Sequence, residues 1–322
     1  MLVKDIYQVV EQDFQLVNEL IMEQLSSDVP LVEKIGQHII ESGGKRMRPL
    51  LVLLASKSLA YEQQDHALLA AIIEFLHTAT LLHDDVVDTS DLRRGKATAN
   101  AKWGNAPSVL VGDFLYSRSF EMMVRLGDMK IMDILSKSTR VIAEGEVMQL
   151  MNVKNPNVSE DQYMKVIQAK TAQLFEASSH AGAVLAQATP EQEEALRLYG
   201  HHTGMAFQLV DDVLDYVGNA EDLGKNVGDD LAEGKPTLPL IFTMKNGTEE
   251  QSQLIRQAIR KGGTENLPAI IDVVQACGAI DYTNQKAREH VDAAKQAISL
   301  LPDTPAKQAL GALAELALSR NS

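Results

Sequence analysis

The sequence predicts an all-α protein, on three observations. Apolar residues recur at helical spacing through long segments, aromatic residues make up only 5% of the 322-residue chain, and no sustained run of β-branched residues alternates with polar ones as a half-buried strand would. The length admits one large domain or two. No linker-like stretch divides the chain, so residues 1–322 are expected to form a single domain.

Taken in order, Ile6 to Leu25 carry apolar positions at helical spacing, and Ser27-Asp28-Val29-Pro30 marks the entrance of a second helix with proline in its first turn. Gly43-Gly44 breaks that helix. Lys45, Arg46 and Arg48 follow at the head of the apolar run Leu50–Leu59, where cations and a helix N-terminus together suit an anion. After a turn at Glu62–Asp65, the segment Ala67–Val87 is apolar on nearly all sides and is predicted to lie at the centre of a bundle. Pro107 opens the next helix, Ala143–Leu150 lies on another, and Asn155-Pro156-Asn157 ends it before the helix that begins after Ser159. In Gln168-Ala169-Lys170-Thr171-Ala172 a cation and a hydroxyl interrupt an apolar helix, and a threonine bonding its own backbone can bend it and release a carbonyl. Thr189-Pro190 starts the helix that reaches Asp211. Gly218–Pro239 is long, Gly-rich and charged, as functional loops and lids are, and the segment Phe242–Ser322 reads as amphipathic helices without evident chemistry.

Two acidic clusters stand out. Asp84, Asp85 and Asp88 close the central apolar run, and Asp211, Asp212 and Asp215 close a second one. Aspartates four apart share a helix face and repel unless a cation lies between them. Carboxylates without His or Cys suit Mg²⁺, which keeps much of its water and is held by one or two carboxylates with substrate phosphates. Immediately after the first cluster, Arg93-Arg94-Gly95-Lys96 reverses the charge, and guanidinium forks grip phosphate oxygens. His77 lies two turns before Asp84 on the same face. The combination points to a diphosphate.

A net charge of −14 argues against nucleic acid as a partner. Cys277 is the only cysteine and reads as core filler; with no leader pattern at the N-terminus, the expectation is a reducing cytoplasm. No apolar stretch runs uninterrupted for the roughly 18 to 20 residues of a membrane span, so no transmembrane segment is expected.

With two DDxxD clusters, GGKRMRP, RRGK after the first cluster, KTA, and GK and GKPT after the second, the chain resembles the trans-isoprenyl diphosphate synthase family essentially end to end. The likeness is greatest to its bacterial long-chain branch, which makes the octaprenyl side chain of ubiquinone or menaquinone. The resemblance implies a helical bundle of isoprenoid synthase type around a deep cavity, with the aspartate clusters facing each other at its mouth. It implies about three Mg²⁺ held by Asp84, Asp85, Asp88, Asp211, Asp212 and Asp215 on an allylic diphosphate, farnesyl diphosphate being the expected primer. Arg93, Lys170, Lys225 and Lys235 would clasp that group, and Lys45, Arg48, His77 and Arg94 the diphosphate of isopentenyl diphosphate. Gln208 and a carbonyl freed near Thr171 would steady the allylic cation by dipole. A homodimer is implied too, with the product passing to a membrane.

Chain length is expected to be set along the first aspartate helix, where Thr80 lies about 6 Å and Leu76 about 12 Å below Asp84. Family members with short products carry bulky aromatics at the fourth and fifth positions before the first Asp; here those are Thr80 and Ala79. Met123, with Phe120 or Leu135, is expected to form the floor, roughly 20 to 24 Å deep for the first two. Eight units follows from the resemblance, and seven or nine stay open. A class I terpene cyclase would not need the Lys45, Arg48 and His77 site, and a non-catalytic synthase subunit tends to lose aspartates that are all retained here.

Overall fold

The structure is a computed structural model that describes residues 1–217 and 227–318. It is helical almost throughout, as the periodicity predicts. The only strands among the described residues are the two-residue pair Leu92–Arg93 and Lys96–Ala97. The chain divides into two compact units.

The first unit comprises Met1–Thr139, Leu174–Gly200 and Ala297–Leu313. Its central helix, Asp65–Val87, is buried along nearly its whole length, from Ala67 to Leu82. By length and composition this helix is apolar enough to cross a membrane, which differs from the sequence expectation; 72% of its apolar window is buried inside the protein. Met47–Ser58 packs beside it, with Leu50 through Leu54 all fully buried. Asn105–Leu126 lies along it so closely that Ser108 Oγ donates to the Leu82 carbonyl at 2.9 Å. Lys57 ties the end of Met47–Ser58 to Asp13 at 2.7 Å.

Two boundaries differ from expectation. The stretch predicted as one helix from Ile6 to Leu25 is two, Val3–Gln8 and Glu11–Gln24, because the chain leaves the helical conformation at β-branched Val10, with φ −128°. The helix expected at Pro107 begins at Asn105, after a short helix Ala99–Trp103 capped by the Thr98 hydroxyl.

The second unit comprises Arg140–Gln173, His201–Gln296 and Ala314–Ser322. Its core gathers Tyr163, Leu209, Leu214 and Tyr216 with Leu238, Ile241, Ile255 and Ile270. Ser159 starts Glu160–Ile167 with a full capping box, its side chain bonded to Gln162 and Gln162 bonded back. The helix then widens into a π-turn over Gln168–Ala172, but the Thr171 hydroxyl bonds Gln208 and not its own backbone, so the widening is not the threonine-driven bend expected from the sequence. Gly145 makes room for the π-turn: a Cβ there would lie 2.7 Å from the Lys170 nitrogen and 2.9 Å from the Ala169 Cβ.

Candidate active site

In the first unit, the three aspartates at the end of Asp65–Val87 are not equivalent. Asp85 is fully buried, and Arg93 holds it through Nη2 at 2.8 Å and Nε at 3.1 Å from Oδ1. A buried carboxylate needs such a partner. Asn100 Nδ2 donates to the Asp85 carbonyl at 3.1 Å, fixing the helix end. Asp84 and Asp88 are half-buried one turn apart.

The strand pair aims the arginines. Arg94 and Gly95 both have positive φ, 53° and 73°, the left-handed pair that a two-residue hairpin turn demands. Adjacent positions on the hairpin then part: Arg93 turns back to Asp85, while the Arg94 guanidinium lies on the backbone of Gly44, where any Cβ would collide with it. Lys96 Nζ donates to the Glu41 carbonyl at 2.9 Å and pins the hairpin to the end of Pro30–Glu41.

Arg48 donates from Nη1 to His77 Nε2 at 3.1 Å, and its guanidinium carbon lies 4.4 Å from the Phe175 ring centroid. Arginine has no acceptor, so Nε2 of His77 carries no proton in this contact. Burial and the nearby Arg48, Arg94 and Arg93 charges hold the imidazole pKa well below its usual value. Arg46 parts from its neighbours: grouped with Lys45 and Arg48 on sequence, it instead reaches Asn18 and Glu74.

In the second unit, Asp211 is half-buried on the helix Pro190–Val217, while Asp212 and Asp215 are buried. Both oxygens of Asp212 are engaged, Oδ2 by the Tyr163 hydroxyl and Oδ1 by Gln208 Nε2 at 2.8 Å. Thr171 donates in turn to Gln208 Oε1 at 2.8 Å, so the π-turn is linked to the aspartate through one amide. Burial, with Asp230 next in effect, pushes the Asp212 carboxyl well up; the Tyr163 and Gln208 bonds oppose that. Lys170 Nζ donates to Glu146 Oε2 and Gln149 Oε1, both at 2.7 Å, and Lys235 pairs with Glu233. Lys225 lies outside the described residues.

The sequence reading missed Tyr163, Asp230, Glu146 and Gln149. Asp230 belongs to the acidic pair Asp229-Asp230, whose N–H approaches Asp215 Oδ2 at 3.3 Å, and a second acidic pair in a Gly-rich segment is a usable signal. Tyr163 sits on an apolar helix face and carries no local signal. The expected product-path residues Leu76, Ala79, Met123 and Leu135 are buried in the first unit, with Thr80 and Phe120 partly so.

Oxygen donors fit a hard divalent cation. Among the described residues no three His, Cys, Asp or Glu side chains form a cage on their own. Magnesium taken up together with a diphosphate needs none, since phosphate and water supply the remaining oxygens.

An all-helical fold with two aspartate-ended helices, the first held by Arg93 and the second in a unit that also carries Lys170 and Lys235, fits an enzyme acting on a diphosphate by charge stabilisation. Residues 29–276 match the polyprenyl synthetase family model. The chain is 53% identical over 317 residues, 98% of both chains, to octaprenyl diphosphate synthase of Escherichia coli (strain K12). It is 50% identical over 318 residues, again 98% of both, to an all-trans-nonaprenyl-diphosphate synthase (geranyl-diphosphate specific) of Rhodobacter capsulatus. A solved polyprenyl synthase from Caulobacter crescentus CB15, complexed with calcium and isoprenyl diphosphate, superposes with a TM-score of 0.97 at 45% identity, covering 100% of this chain and 98% of the other. The chain belongs to the polyprenyl synthetase family and is a prenyltransferase.

Proposed function

We propose that the protein extends farnesyl diphosphate with successive isopentenyl diphosphate units to octaprenyl diphosphate, for a ubiquinone or menaquinone side chain, and acts as one catalytic domain over residues 1–322. The observation that carries this reading is the division of labour within the clusters. Asp85 and Asp212 are buried and engaged by side chains, leaving Asp84, Asp88 and Asp211 as the more accessible carboxylates. These three would take magnesium directly, and Asp85, Asp212 and Asp215 would hold the helix ends that present them. When bound, magnesium would neutralise the diphosphate as negative charge grows on its leaving oxygen.

Arg93, Lys170, Lys225 and Lys235 would add charge to the same group, while Lys45, Arg48, Arg94 and His77 would receive the second diphosphate. Ionisation leaves an allylic cation. The isopentenyl double bond attacks it, a proton leaves for the released diphosphate, and the chain is longer by one unit. Gln208 and the π-turn at Thr171 would steady the cation by dipole, without a nucleophile strong enough to trap it.

The Rhodobacter relative named for a nonaprenyl product supports nine units as the second reading of chain length. Exposed apolar residues on Asn105–Leu126 (Leu110, Val124) and on Met129–Asn152 (Leu150, Met151) support a homodimer. A cytoplasmic location with delivery of the product to a membrane completes the proposal. Mass spectrometry of the product made from farnesyl and isopentenyl diphosphates with Mg²⁺ tests it: an eight-unit diphosphate is expected, and a cyclised hydrocarbon or no condensation by the purified chain would overturn it.

A further inference from the structure

The segment Gly43-Gly44-Lys45-Arg46-Met47-Arg48 places three cations within four residues, and the structure sends them different ways. Arg48 lies between His77 and Phe175, and Lys45 is exposed. Arg46 has a left-handed backbone, φ 41°, which a residue with a Cβ keeps only when its surroundings hold it there.

Three contacts do so, all within the first unit. The Tyr7 hydroxyl donates to the Lys45 carbonyl, and Arg46 Nη1 donates to Asn18 Oδ1. Arg46 Nε lies 4.0 Å from Oε1 of Glu74 on the central helix. Glu74 is only 8% exposed, and its Oε2 has no hydrogen-bond partner among the described residues. A carboxylate on the apolar inner helix is costly where alanine or leucine would pack, so its presence calls for a task. Burial pushes the Glu74 carboxyl up, and the Arg46, Arg48 and Arg94 guanidiniums pull against it.

We propose that Glu74 is a positioning residue for isopentenyl diphosphate: by drawing Arg46 inward it fixes the backbone reversal that presents Lys45 and Arg48 separately to that substrate. The inference rests on the assignment of Lys45, Arg48 and Arg94 to isopentenyl diphosphate made above. Without an internal anion, Arg46 would relax its backbone or compete for the diphosphate, and the segment would have to be ordered at the expense of binding. Tyr7 and Asn18 fix the same reversal from the N-terminal helices.

Steady-state condensation onto farnesyl diphosphate by the full-length chain tests this. Glu74→Gln keeps the shape and removes the charge; it is expected to raise KM for isopentenyl diphosphate about tenfold, with kcat and KM for farnesyl diphosphate changed less than about twofold. Arg46→Gln should do the same, and the double variant should lose no more than either single change. Equal losses for both substrates, or additive losses in the double variant, overturn the proposal. Tyr7→Phe, which deletes only the phenolic donor, guards against a Glu74 variant that does not fold: it should raise the same KM roughly threefold, and a folded variant with both KM values unchanged refutes the positioning role. A wild-type chain that does not join the two substrates would instead refute the assigned function.

Discussion

Arg93 and Asp85 stand eight positions apart and meet in a forked ion pair, with Nη2 and Nε of the arginine 2.8 and 3.1 Å from one carboxylate oxygen. The arginine is thus already engaged by an aspartate of the cluster it is proposed to assist. The second aspartate of DDxxD has a structural partner as well as a charge.

Asp84→Ala and Asp85→Ala should therefore fail differently. Asp84 is half-exposed, so its loss should leave the melting temperature near wild type while lowering kcat by about 10²-fold or more. Loss of Asp85 strands Arg93 beside a buried gap and should cost about 3 kcal/mol of stability besides activity. Thermal melts beside turnover numbers separate the two, and equal destabilisation would contradict the division of roles.

Tyr163→Phe removes one donor to buried Asp212 and nothing else of size. The stranded oxygen should destabilise the fold by about 1 to 3 kcal/mol. Urea denaturation measures this directly, and the adjacent Gln208 and Thr171 bonds make a parallel loss of kcat the expected companion.

Acid should weaken the fold through His77. Its pKa in the folded protein lies well below 6.5, so under pH 6.5 the unfolded chain binds a proton that the folded one refuses. Stability from this group is fully present above pH 6.5 and declines as pH falls through that value. His290 adds in the same sense, its pKa lowered to about 4 by burial and by His202 and His201. His77→Gln keeps an acceptor for Arg48 and should flatten the decline between pH 7 and 5.5, as read from melting temperatures.

Ala79→Tyr should shorten the product to about three or four isoprene units, because the side chain sits about 7.5 Å of helix rise before Asp84. Ala79 is buried, so the added ring must enter the interior. Chromatography of the products reports the result, and an unchanged distribution would move the growing tail elsewhere.

Much of this was legible from residues alone. The helical class followed from periodicity, the central helix from its apolar surround, and the acidic clusters from their spacing. Other features depend on contacts between segments distant in the chain. Nothing near Tyr163 indicates that it meets Asp212, 49 positions on. Three neighbouring cations look alike until the left-handed turn at Arg46 sends one inward. The break at Val10 was hidden because that residue continues the apolar pattern while its backbone leaves the helical conformation.

The π-turn at Gln168–Ala172 holds one more residue in its loop of backbone hydrogen bonds than an ordinary helical turn. Deleting a single residue there would let the coil close up as regular helix, nearly invisible to circular dichroism. The helices on either side would keep their faces, because the wide turn absorbs the extra residue, and only the positions within the turn itself would be re-aimed. Lys170 and Thr171 would no longer both meet Gln149 and Gln208, so a variant with native-looking spectra would be a mis-indexed enzyme.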